Sequence, residues 1–161
     1  MNKDVLQAKQ ETVSEIVTKA KASQSVIVAE YRGLTVAQIQ ELRRALAAEK
    51  ATMNVYKNSL VERASDELGY TEFKSLLSGP NAIFFAEDVT SGAKVLAKYA
   101  KRYDGALNIK GGLFEGQFAD KAKVLEIAKL PSREGLLAML LSCLQAPVRQ
   151  FACAVKAVAD K

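Results

Sequence analysis

Histidine and tryptophan are both absent from this chain of 161 residues. Without histidine the protein lacks the commonest acid–base group and the commonest zinc ligand. Cysteine occurs only at Cys143 and Cys153, in no metal or redox spacing. Both fall in apolar, helical surroundings, which predicts small core or seam residues. Gly111-Gly112 is not followed by Lys-Ser or Lys-Thr, so there is no phosphate-binding P-loop. No G-x-S-x-G nucleophile turn occurs either. The acidic residues are scattered singly. Glu87-Asp88 is the one corner that resembles a metal site, and charge at a helix N-terminus explains it better. No catalytic, metal or cofactor site is expected. No run has the apolar length of a membrane span, and the pure run Ala82 to Ala86 reads as a strand. The start, M-N-K-D-V-L-Q-A-K-Q, lacks the apolar core of a signal peptide. A non-enzymatic cytoplasmic protein without a membrane partner is expected.

What is present suits one compact domain plus an appendage. Hydrophobic residues make up 49% of the chain, ample for a core. Net charge is +5 with a pI near 9.2, which permits nucleic acid without demanding it. Val13, Ile16, Val17 and Ala20 draw the apolar face of a first helix, and Val26 to Ala29 a short buried strand. Thr35 and Gln38 form a capping box for a second helix with Ile39, Leu42 and Leu46 inward. Thr52 to Tyr56 reads as a second strand. Asn58 or Ser59 caps the next helix, Ser59 with Glu62 as a capping box, and Gly69 ends it. Thr71 caps a short helix carrying Phe73, Leu76 and Leu77.

Asn81 to Ala86 is a third strand. A helix follows from about Thr90 to Tyr103, broken by Asp104-Gly105. Leu107 and Ile109 alternate as a strand, with Leu113-Phe114 as a short edge piece. Asp120 caps a helix bearing Val124, Ile127 and Ala128. Pro131 ends it, and Ser132 caps the next, which carries Leu137, Leu140, Leu141 and Leu144. Pro147 suits the first turn of a new helix, so a joint is expected at Ala146-Pro147. Helices alternating with short strands predict a sheet of about four or five strands with helices packed on it.

Two features bear on function. Arg32 and Lys57 each lie just past a strand, in turns leading into helices. Helix N-termini there offer N–H groups to phosphates, and the side chains add charge. If the two strands run the same way, both turns share one edge of the sheet. The alternative is a pair of solvated loop charges. Lys94, Lys98, Lys101 and Arg102 form a second basic stripe, for which a solvated face is the default. At the C-terminus, Val148, Phe151, Val155 and Val158 recur at steps of three, four and three, one narrow apolar seam on a helix. Such a seam either folds back onto its own domain or meets another helix.

Four stretches in order carry a resemblance. They are Y-R-G-L-T (Tyr31 to Thr35), V-Y-K-N-S-L (Val55 to Leu60), G-P-N-A (Gly79 to Ala82), and K-L-P-S-R-E-G-L with L-Q-A-P-V-R (Lys129 to Leu136, Leu144 to Arg149). Together they closely resemble the bacterial stalk-base protein of the large ribosomal subunit, the large-subunit ribosomal protein ten family, nearly end to end. The resemblance implies an α+β fold, a small mixed sheet of about four or five strands packed with helices followed by a protruding C-terminal helix, in which the N-terminal domain, residues 1–146, binds large-subunit ribosomal RNA beside large-subunit protein eleven. It implies a C-terminal helix, residues 147–161, that carries dimers of the acidic stalk protein, which recruit translation GTPases. Family members can also repress translation of their own operon. Matched to the family's motifs, Arg32, Gly33, Lys57 and Asn58 become the expected RNA contacts, with Arg63 a further one. Val148, Phe151, Val155 and Val158 become the expected stalk contacts. The helix is short and its charged tail is reduced to Asp160-Lys161, so about two dimers are expected.

Overall fold

An apolar run without alternation demands cover on both faces, and Ser25–Glu30 receives it. In the computed structural model this segment, β1, is the middle strand of a five-stranded sheet. The structure describes residues 3–103 and 105–159, without the side chains of residues 3–6, Thr71 and Arg133. The cap expected of Thr71, the break expected at Asp104 and the tail at Asp160-Lys161 lie outside what is described. In chain order the elements are α1 (Lys3–Ala22), β1, α2 (Val36–Ala48), β2 (Ala51–Asn54), α3 (Asn58–Leu68), a 3-10 turn (Thr71–Leu76), β3 (Asn81–Ala86), α4 (Ser91–Arg102), β4 (Asn108–Phe114), β5 (Gln117–Asp120), α5 (Lys121–Ile127) and α6 (Arg133–Ala159). They form two units, Met1–Lys129 and Leu130–Lys161.

The α+β class is as expected, but the sheet is antiparallel throughout rather than mixed, in the order β2-β3-β1-β4-β5. Side-chain alternation along β1 and β3 feeds two cores. Ile27, Ala29, Ala82 and Phe84 pack with Leu42 and Leu46 of α2, Leu96 and Tyr99 of α4, and Val124 of α5. Val26, Val28, Ile83 and Phe85 pack on the other side with Val13 and Ile16 of α1, Val61 of α3, and Phe73. Each large side chain so buried contributes roughly 1.5–3 kcal/mol before ordering costs.

Leu113 and Phe114 do not form an edge piece. They belong to β4, which pairs with β1 on one side and β5 on the other. β5 itself carries too little alternation to be read from sequence. Its hairpin turns at Glu115 and Gly116, both with positive φ. β4 also holds an irregularity. Val28 pairs with Gly111 and Ala29 with Ile109, so Lys110 is the extra residue of a β-bulge. The bulge inverts the alternation: Ile109 and Phe114, five apart, both face the α2–α4–α5 core. Just beyond it β4 passes close to β1. A Cβ on Gly112 would lie 2.6 Å from the Val26 carbonyl oxygen.

Three local expectations change. α2 has the expected Thr35–Gln38 capping box. α3 has none: its N-cap is Lys57, without a side-chain cap. Thr71–Leu76 is a 3-10 turn. The joint at Pro147 is missing, because α6 runs through it as one helix. A proline removes one N–H, here the one that would reach the Cys143 carbonyl, and the bonds on either side persist.

A candidate nucleic-acid interface and an exposed apolar seam

β1 and β2 are each antiparallel to β3, so they run the same way. Their C-terminal ends therefore share one end of the sheet, separated only by β3, at about 10 Å. Arg32 follows β1 there and Lys57 follows β2. Both side chains are exposed, and neither is in an ion pair among the described residues. Arg32 sits in a turn closed by Leu34 N–H donating to the Tyr31 carbonyl at 3.3 Å. Gly33 makes the turn at φ +100°, and a Cβ there would meet only Ala106 Cβ at 3.7 Å. Glycine is needed for its backbone angle, not for space.

Tyr56, the neighbour of Lys57, accepts a hydrogen bond from Lys19 Nζ at 3.3 Å and donates to Glu15 at 3.4 Å. The hydrogen bond from Lys19 holds the Glu15 carboxyl below its ordinary 4.5, and Glu15 raises Lys19 in return. Asn58 does not cap α3; its Nδ2 donates to the Gly79 carbonyl at 2.9 Å. That bond brings the turn before β3 to the same end of the sheet. The structure thus brings Arg32, Gly33, Lys57 and Asn58 together. Arg63 is on another flank. It lies roughly 140° around α3 from Asn58 and lines a hollow against α1 with Lys9, Gln10, Ser14 and Glu67.

In the second unit, Val148, Phe151, Val155 and Val158 are exposed, Phe151 at 72% and Val158 at 75%. They continue a longer line. Leu137, Leu141 and Leu144 are exposed too, at 53%, 59% and 69%. From Leu137 to Val158 the apolar positions step by four and three alternately, straight through Pro147. That is the spacing by which one helix seats against others. The three leucines were missed as part of the seam because the proline read as a boundary. Cys143 and Cys153 are exposed on the same helix, not core residues. α6 is also long enough over Glu134–Ala159, and apolar enough over an 18-residue stretch of mean hydropathy 1.4, to cross a membrane, contrary to the expectation from its interrupted sequence.

Residues 4–101 match the family Ribosomal protein L10, and residues 130–161 match the Ribosomal protein uL10 C-terminal region. The chain belongs to the ribosomal protein L10 family. Proteins named large ribosomal subunit protein uL10 from Bacillus cereus (strain B4264), Bacillus cereus (strain AH187) and Bacillus anthracis (strain A0248) are each 51% identical to it. Each alignment covers 158 residues, 98% of this chain and 95% of the relative. The L10 family is one of structural ribosomal proteins, not of enzymes, and this chain is accordingly a ribosome-bound protein of the large subunit. The two family matches fall on the two units of the structure. The first takes in Arg32, Gly33, Lys57, Asn58 and Arg63, and the second the whole seam of α6.

Proposed function

We propose that this L10 family protein forms the base of the large-subunit stalk in the cytoplasm. Its first unit binds large-subunit ribosomal RNA through the sheet end bearing Arg32, Gly33, Lys57 and Asn58, next to large-subunit protein eleven. Its second unit anchors dimers of the acidic stalk protein on α6, which bring translation GTPases to the ribosome. The observation that carries this reading is the exposed seam from Leu137 to Val158. Seven large apolar side chains in helical register are costly to leave in water, and a set of partner helices would remove that cost. The seam spans about 32 Å at 1.5 Å per residue, and about two dimers are taken to share it, as the resemblance implies. The partner segment then starts well before Pro147.

The mass of the complex with the acidic stalk protein tests the second half. Two dimers per chain are expected; none, or a mass unchanged after deletion of residues 130–161, overturns it. For the first half, replacing Arg32 and Lys57 by Ala should weaken binding to transcribed large-subunit ribosomal RNA. It should also flatten the salt dependence by about 0.9 in slope for each lost phosphate contact. An unchanged slope moves the RNA surface elsewhere, with Arg63 or the Lys94–Arg102 stripe next in line. Repression of the protein's own messenger would use the same sheet end, so the double variant should lose both activities together.

A further inference from the structure

The Gly79-Pro80-Asn81 turn leads into β3 at the same end of the sheet as the Arg32 and Lys57 turns. Its surroundings are unusually well made for an exposed loop. Ser78, Gly79 and Pro80 are exposed, and Gly79 turns the chain at φ +76°. Asn58, at the start of α3, holds the Gly79 carbonyl from one side. From the other side comes Lys110, the bulge residue of β4. Its Nζ donates to the Ser78 carbonyl and, at 2.9 Å, to Asn81 Oδ1, and it lies 3.7 Å from a carboxylate oxygen of Glu30. Asn81 in turn donates through Nδ2 to the Leu76 carbonyl at 3.4 Å.

Bulges re-aim side chains, and this one turns a lysine inward. The Lys110 side chain is only 17% exposed and its ammonium already faces three protein oxygens. It is placed to hold the turn rather than to reach a phosphate. Arg32 and Lys57 at the same sheet end have the opposite character, exposed and without an ion pair among the described residues.

We propose that the Ser78–Pro80 turn is a third RNA-contacting loop beside the Arg32 and Lys57 turns, and that Lys110 is its positioning residue. This rests on the sheet end being the RNA surface. With its carbonyls held by Lys110 and Asn58, the rigid loop presents the Ser78 and Gly79 N–H groups to RNA without the entropy loss of ordering them on binding. Lys110 then contributes to affinity by holding the loop, and adds nothing to counterion release.

The two roles separate in a salt titration of the full chain with transcribed large-subunit ribosomal RNA. Lys110→Met should weaken binding roughly tenfold, the worth of one or two hydrogen bonds, with the slope of log K against log salt unchanged. Lys110→Arg should recover most of the loss. A slope lower by about 0.9 makes Lys110 a phosphate contact and overturns its positioning role. Pro80→Asp touches no core and serves as the second variant. A carboxylate at the turn should repel RNA and weaken binding at least as much. Parental binding by Pro80→Asp removes the turn from the interface, whatever Lys110→Met does to folding. If Arg32→Ala with Lys57→Ala is also silent, the sheet-end reading itself fails. If that double variant weakens binding and Pro80→Asp does not, only the third loop is lost.

Discussion

Gly33 shows how one residue's stereochemistry shapes the candidate interface. At φ +100° any side chain is strained, although the space beside it is open. Gly33→Ala should therefore cost about 1–2 kcal/mol, read as a fall in Tm of about 2–4 °C per kcal/mol for a chain of this size. Glu15 makes a different kind of contribution. Its carboxyl is held below 4.5 by the hydrogen bond from Lys19, so it binds protons less readily folded than unfolded. The stability it adds is complete above the ordinary value and is lost as pH falls through the lowered one. Glu15→Gln should unfold more easily in urea at neutral pH, and the gap to the parent should close below pH 4.5. A gap that stays constant into acid would show that Glu15 does not stabilise the fold through its charge.

At the scale of the element, α6 is the informative case. A proline within a helix costs about 3 kcal/mol, and here it stands between two halves of one seam. Pro147→Ala should raise helix content by circular dichroism and leave partner binding intact, because the seam residues keep their register. Phe151→Asp should act the other way, sparing the helix and weakening capture of the stalk protein by at least tenfold, as expected for a buried aromatic anchor. Equal binding by that variant would place the partner on another face. The same uncovered apolar length explains why α6 satisfies the size and hydropathy of a membrane span. Arg149 and Lys156 within that length would each be costly in the interior of a bilayer.

For the whole molecule, the division into two units predicts that removal of residues 130–161 leaves the first unit folded. The truncated protein should unfold in one transition and keep its RNA affinity; loss of either would mean that the first unit depends on α6. Much of this organisation was legible from residues alone. The buried runs of β1 and β3, the Thr35–Gln38 cap, the two basic turns and the terminal seam are local patterns, and local patterns follow from periodicity and side-chain chemistry. Other features were out of reach. That β1 and β2 run parallel with β3 between them depends on pairing across long loops, and that pairing puts Arg32 and Lys57 at one sheet end. The Asn58 bond to Gly79, the bulge that turns Lys110 inward, and β5 are likewise contacts between distant segments. Hydrophobic spacing states which side of an element is buried. Only the folded chain decides which other segment does the burying, because that choice depends on register and packing, which are shared properties of both partners.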